Sequence, residues 1–342
     1  MRHRWVTKAG RARRATLALA IGLAVASTLV LGSTSSFAST AKAKKLKIAF
    51  NMGAEADPFF IAMNQGAAAE AKKLKVTLVW QGDPSYYSPS TQMPIVQQLL
   101  AEKPNALIIS PTDPKALQPS VNQAIKKHIT VLNVDTHVSD LSKVLSFVTG
   151  DNTQGGTAAA DAMAQAMNYE AGKTYDVVVG ASSPTTTTNT ARYAGFKAEI
   201  AKKYPGITIV DEEYSQSQPA VANTNVNNWL TKYPNLKGIF AIDGTNAAGA
   251  AAAIQAHNDI GKIALVGYDA YANNVDLLKK GVFAALISQQ PALEGQLTVK
   301  YAVQYLKTHS KKGIPHQQVL PNIVLTPTSS DALITKYTYP TA

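Results

Sequence analysis

The 342-residue chain has no cysteine. That excludes a disulfide framework, a thiolate zinc site, a cysteine nucleophile and a bacterial lipid anchor on an N-terminal cysteine. Arginine is nearly missing as well: beyond residue 38 a single one, Arg192, stands beside 26 lysines. Charged residues are sparse at 16 %, against 46 % apolar, which excludes wholesale disorder and supports a sizeable core. Acidic residues are absent from the first 38 positions altogether.

A formal charge of +11 invites a nucleic-acid reading, so the location of the charges matters. Six of them, Arg2, Arg4, Lys8, Arg11, Arg13 and Arg14, precede a run without charge from Ala15 to Gly32, and Ser36-Phe37-Ala38 closes the segment. A basic start, an apolar stretch and a small-residue cleavage site make a secretory signal peptide over 1–38. The competing reading is an uncleaved membrane anchor, since the run is close to the minimum for a span. Arg13-Arg14 matches a twin-arginine signal only weakly. Without that segment 27 basic residues face 22 acidic ones, and the basic tail at 39–45, running on to Lys47 in the first strand, carries most of the excess. The body is nearly neutral, which argues against nucleic acid as a partner.

Through the rest of the chain, short apolar runs alternate with amphipathic stretches, the pattern of βαβ units and a parallel sheet. Strands are predicted over 46–51, 76–81, 106–110, 130–134 and 144–149, with helices over 58–74, 91–101 and 114–127. A second block repeats the rhythm, with strands over 175–180, 207–214, 238–242, 263–268 and 283–288. Its helices fall at 153–167, 192–204, 220–233, 246–257, 275–280 and 293–308. Continuous apolar strands such as Ala106-Leu107-Ile108-Ile109 imply burial on both faces. Two five-stranded blocks read as two doubly wound, Rossmann-like α/β domains joined by a multi-segment hinge. The expected division is 46–150 plus 290–320 and 151–289 plus 321–342. A ligand is then expected in the interdomain cleft, outside the carboxyl ends of the strands.

The residues just past those strand ends are polar in a consistent way. Asp57 follows the first strand, Asp135 and Thr136 the fourth, and Asp243, Asp269 and Gln289 later ones. Each Asp could equally be a helix cap or an Asx turn, the reading preferred for Asp113. Five such positions facing one cleft favour a ligand site. The isolated Arg192 offers a planar fork that the many lysines cannot imitate. Phe59-Phe60, on the first turn of a helix, reads either as core or as an aromatic platform for a flat ring. Trp80, Tyr86, Tyr87 and Trp229 are further aromatic candidates with no assigned place. No phosphate-binding glycine loop, nucleophile elbow or metal-binding histidine pair occurs. Several carboxylates in one cleft also admit a glycoside hydrolase, which would need one of them kept protonated.

These features together resemble the ribose-binding-protein family, the type 1 periplasmic sugar-binding proteins that feed ABC importers. The resemblance runs from about Leu46 to Leu325. It rests on Asp57-Pro58-Phe59-Phe60, Pro111-Thr112-Asp113, Val134-Asp135, Gly150-Asp151-Asn152 with Gly155-Gly156, Arg192-Tyr193-Ala194-Gly195-Phe196, Tyr233-Pro234, Phe240-Ala241 and Val266-Gly267-Tyr268-Asp269. LacI-like repressors share the fold, but the export signal and the missing helix-turn-helix exclude that branch. The resemblance implies Phe59 and Phe60 on the faces of a sugar ring, and Asp135, Arg192, Asp269 and Gln289 as hydrogen-bond partners of its hydroxyls. Asp57 and Asp243 replace the Asn of ribose binders, Thr136 replaces a second Arg, and a polar stretch around 215–217 replaces an aromatic, which speaks against ribose itself.

With all four Asp residues ionised against Arg192 the site would carry a formal −3, which repels phosphates and sugar acids and suits a neutral sugar or sugar alcohol. The resemblance further implies a monomer without cofactor or catalysis. It would sit in the periplasm or on the outer face of the cytoplasmic membrane, and close on its sugar by a hinge. Its partners would be an ABC permease and that permease's cytoplasmic ATPase. A receptor for chemotaxis or sensor-kinase signalling is the other role the same fold admits.

Overall fold

The computed structural model describes residues 45–340, so the signal segment and most of the basic tail lie outside the described residues. Two six-stranded sheets carry the fold. In the first, the order is β2 (Thr77–Asp83), β1 (Lys47–Ala54), β3 (Ala106–Ile109), β4 (Thr130–Val134), β5 (Phe147–Gly150) and β11 (Gln317–Leu320), all parallel. The second repeats that order with β7 (Ile207–Tyr214), β6 (Tyr175–Ala181), β8 (Leu236–Ala241), β9 (Ala264–Tyr268), β10 (Ala285–Ser288) and β12 (Ile323–Leu325). Only β12 runs antiparallel, against β10. Both sheets therefore reverse strand order beside their first strand, at β1/β3 and at β6/β8. That switch point is where doubly wound sheets open a crevice for ligands.

The sequence pattern explains the layering. Strands β3, β4, β5, β8 and β10 are almost entirely buried, as continuous apolar runs between two helix layers require. On the first sheet, α1 (Pro58–Leu74) lies against α9 (Pro291–Thr308) on one face, with α2 (Pro89–Ala101) and α3 (Gln118–Lys126) on the other. On the second, α4 (Asn152–Ala166) pairs with α5 (Thr187–Lys203), and α6 (Pro219–Lys232) with α7 (Gly244–Ala256), while α8 (Ala272–Lys279) and α10 (Asp331–Tyr337) are short. Glycines set the helix pairs close. A Cβ at Gly66 would stand 1.8 Å from the Ala292 carbonyl oxygen, and one at Gly156 1.9 Å from that of Arg192.

The predicted elements are all present, with ends moved by a few residues. Two strands are additional: β11 and β12 are four and three residues long, and β11 is largely exposed, too short and too polar to carry a strand pattern. The helix predicted over 114–127 is shorter because Pro114–Ala116 forms a turn in which Asp113 accepts from the Lys115 and Ala116 amides. Among the described residues, no helix is long and apolar enough to cross a membrane.

Candidate functional site

The two sheets face each other across a cavity enclosing about 400 Å³ of empty space, part of it open to solvent. Both lobes supply its wall from the carboxyl ends of their strands. The turn after β1 brings Asp57, Phe59 and Phe60, the loop after β2 brings Tyr87, and the end of β4 brings Asp135. From the other side come Arg192 on α5, Asp243 after β8, Asp269 and Tyr271 after β9, and Gln289 after β10.

The four aspartates fall into two kinds. Asp57 and Asp243 are helix N-caps. Asp57 accepts from the Phe59 amide at 2.9 Å, and Asp243 from the Asn246 amide at 2.9 Å. Capping fixes these carboxylates at the cavity wall, so the same residue is here both a helix cap and a lining group. Asp135 caps no helix, and Asp269 is not the N-cap residue of one, although its Oδ2 accepts from the Gly244 amide that opens α7. Both sit in the left-handed region, at φ 60° and 66°, immediately past β4 and β9. Their amides donate to the next strand at equivalent points, Val148 O and Ile287 O. Non-glycine residues held there cluster at functional sites, and Asp is among the few that tolerate the conformation.

Arg192 is almost wholly buried, at 2 % exposure, which removes the surface reading. Its Nε donates to Asn152 Oδ1 at 2.8 Å and its Nη1 to the Ile242 carbonyl at 2.9 Å, while the guanidinium lies 3.9 Å above the Tyr268 ring. With those donors anchored, Nη2 is the part left to meet a ligand. Burial would lower the pKa of this group, but Tyr268, Asp269, Asp135 and Asp243 act the other way and hold it above its usual value.

Burial pushes Asp57 up to about 7 despite hydrogen bonds from Tyr271 and the Phe59 amide, and the charges of Asp269 and Asp243 add to the rise. Asp135 is likewise pushed up to about 7 by burial, with Arg192 opposing. Asp269 moves upward too, again by burial, although it accepts from Gln289 Nε2, from the Tyr339 hydroxyl and from the Gly244 amide. At neutral pH the cavity therefore carries less than the formal −3 expected from four ionised carboxylates. Mutual repulsion and desolvation hold part of the charge back as protons.

The aromatic wall is larger than expected. Phe59 and Phe60 contact each other edge to face at 5.3 Å, and Tyr87 stacks over Phe60 at 6.5 Å with rings 15° apart. Of the other aromatic candidates, Trp80 packs on Phe50 at 4.4 Å, Trp229 is in the core and Tyr86 is exposed. Thr136 stands behind the wall instead of in it. It is fully buried, and its hydroxyl donates to the Pro111 carbonyl at 2.8 Å.

Sequence reasoning did not single out Tyr271, Asn189, Ser182 or the threonines Thr186, Thr188 and Thr245. Ser, Thr and Asn at loop ends carry no distinctive pattern. The Tyr271 position after Asp269 could have been noticed as one more residue beyond a strand end. No group of acidic and histidine side chains suited to a metal occurs among the described residues.

The fold has relatives among known proteins. The D-ribose/D-allose-binding protein of Pseudomonas aeruginosa is 30 % identical over 282 residues, covering 79 % of this chain and 86 % of that protein. The ribose import binding protein of Escherichia coli is 29 % identical over 256 residues, 73 % of this chain and 81 % of that one. An ABC transporter solute-binding protein from Agrobacterium vitis, solved with α-D-tagatopyranose, superposes with a TM-score of 0.81 at 30 % identity, covering 87 % of this chain and all of that one. A carbohydrate transporter solute-binding protein from Agrobacterium radiobacter, solved with D-arabinose, gives 0.81 at 28 %, covering 86 % and 99 %. With the periplasmic binding protein domain matching residues 48–312, most of its length, the chain belongs to the periplasmic binding protein family.

Proposed function

We propose that this chain is the extracytoplasmic substrate-binding protein of an ABC importer, capturing a neutral monosaccharide or sugar alcohol between its lobes. One observation carries the reading: ring-sized aromatic faces, carboxylates and a guanidinium from two lobes converge on one cavity. A pyranose or furanose has apolar C–H faces for Phe59, Phe60 and Tyr87, and a belt of hydroxyls for the polar groups. Carboxylates accept from hydroxyls, Arg192 donates to a ring or hydroxyl oxygen, and partly protonated Asp57 and Asp135 can serve either way. A phosphate gains one guanidinium and meets several carboxylates, so the parent sugar is preferred.

In this reading the chain divides at 46–150 plus 290–320 and 151–289 plus 321–342, and it works as a monomer. It performs no chemistry and hands its sugar to a membrane permease driven by a cytoplasmic ATPase. Closure follows from the contacts that the ligand makes with both lobes in the closed state and with only one in the open state. Native mass spectrometry of freshly purified protein, followed by a thermal-shift panel of D-ribose, D-allose, D-tagatose, D-arabinose and the common alditols, tests it. Stabilisation by one or a few neutral sugars is expected. Tighter binding of a sugar phosphate than of its parent sugar, or turnover of a chromogenic glycoside, would overturn it.

A further inference from the structure

Three segments carry the chain from one sheet to the other. They are Gly150–Asp151 between β5 and α4, Gln289–Gln290 between β10 and α9, and Pro321–Asn322 between β11 and β12. All three meet at one point. A Cβ built on Gly150 would lie 3.1 Å from Gln289 Oε1, 3.2 Å from Asn322 Oδ1 and 3.8 Å from Glu294 Oε1. Each of these oxygens, and Glu294 Oε2 with them, is buried and has no hydrogen-bond partner within the protein.

The amide orientations are fixed. Gln289 Nε2 donates to Asp269 Oδ1 at 2.8 Å, and Asn322 Nδ2 donates to the Asp151 carbonyl at 2.7 Å. Turning either amide would aim oxygen at oxygen, so both acceptors must face Gly150. A cluster of buried acceptors without a donor is costly, at about 1–3 kcal/mol for each group left unmade. A proton on Glu294 and a small molecule would supply donors to these oxygens. Glycine at position 150 leaves the shared point free of a side chain.

We propose that Glu294 is a neutral carboxylic acid in the folded protein, and that with one buried water it ties the three crossing segments together. The carboxyl donates to the water, and the two water hydrogens go to Gln289 Oε1 and Asn322 Oδ1. Three polar partners match what buried waters ordinarily make. A hard divalent cation, which takes about six to eight oxygens, would find too few here. The charged groups facing Glu294 are Asp135 beyond β4, Asp269 beyond β9 and Arg192 on α5. Burial holds the carboxyl well above its usual range, Asp135 and Asp269 push the same way, and Arg192 opposes. The start of α9 also favours a charge on its first-turn Glu294, yet a carboxylate without a single donor cannot collect that benefit.

A carboxyl whose folded-state titration lies above its unfolded one stabilises the fold fully below about pH 4, and the contribution is lost as the pH rises through the folded titration. In Glu294→Gln the group no longer titrates, and the amide keeps a donor for the water. Thermal unfolding of the ligand-free protein, followed from about pH 5 to about pH 8, therefore separates the cases. Near pH 5 the variant should melt close to the wild type, and by pH 8 it should have gained about 3–6 °C on it. Glu294→Leu should show the same relative rise but start below the wild type, because the water bridge loses its donor. A difference between Glu294→Gln and wild type that stays constant with pH would overturn the proposal. So would a wild-type melting temperature that depends on potassium or sodium against choline at equal ionic strength, the mark of an ionised Glu294 holding a cation. None of these readouts requires a sugar. Where the sugar-binding reading also holds, Gln289 links this point to the cavity it lines.

Discussion

Single residues decide the chemistry of the cavity, and Arg192 decides most. Its removal takes away a ligand-facing donor and orphans Asn152 Oδ1 and the Ile242 carbonyl at once. Arg192→Ala should weaken sugar binding by about 2–5 kcal/mol, read by calorimetry with the best sugar of the panel, and should lower the melting temperature as well. Arg192→Lys keeps the charge but cannot span the same partners, so its affinity should stay well below wild type. Wild-type affinity in the lysine variant would refute the role given to the fork.

The aspartates predict a pH dependence at the same scale. Asp57 and Asp135, both pushed up to about 7, are partly protonated in the empty cavity near neutrality. Sugar hydroxyls donate, and donation favours the ionised form, so binding must lower these titrations and release protons. Affinity should rise from about pH 5 to about pH 8 and then level off. Calorimetry in two buffers of different ionisation enthalpy should register the released protons, and Asp57→Asn should release fewer. Affinity that falls over that interval would show that the carboxyls act as donors instead.

At the scale of elements, the backbone of one helix seats the side chain of another. Gly156 and Gly195 let α4 and α5 touch: a Cβ at Gly195 would stand 2.2 Å from the Thr153 carbonyl oxygen, and one at Gly156 meets Arg192 backbone. Because that neighbour is backbone, Gly156→Ala must move α5, at a cost of about 1–3 kcal/mol in stability. It should also reduce sugar affinity by displacing Arg192, whereas Gly261→Ala, which strains a left-handed turn outside the cavity lining, should cost stability and leave affinity unchanged. Equal loss of affinity in both variants would separate the helix contact from the site.

This scale also shows why the sequence could be read so far. Period and strand-end polarity are local signals, and they sufficed for ten strands and for half of the residues that line the cavity. What escaped depends on distance in space. Strands β11 and β12 exist only because the chain crosses back to finish both sheets. Tyr271 and Thr136 are set apart only by which way the backbone faces after their strands, and Asp135 and Asp269 turn by a left-handed φ that no composition reveals.

For the whole molecule the question is what joins the lobes across the cleft. Hydrogen bonds within the protein span it. The Tyr271 hydroxyl donates to Asp57 Oδ1 at 2.5 Å, the Thr186 hydroxyl to the Thr112 carbonyl at 3.4 Å, and the His137 amide to Thr187 Oγ1 at 3.3 Å. The Tyr271 bond is the short one, it meets a carboxyl that lines the cavity, and parting the lobes would break it. A contact made only in the closed state shifts the open–closed equilibrium by its own net worth, about 0.5–1.5 kcal/mol for a typical hydrogen bond. Tyr271→Phe keeps the ring and loses that bond. The sugar then has to do more of the closing, and affinity should fall by about 2- to 12-fold, the same free energy expressed as a ratio. Small-angle scattering should show the ligand-free variant more expanded than the wild type, and the two alike once saturated with sugar. If the ligand-free profiles coincide while affinity still falls, Tyr271 acts on the sugar itself and the cross-cleft bond does not bias closure.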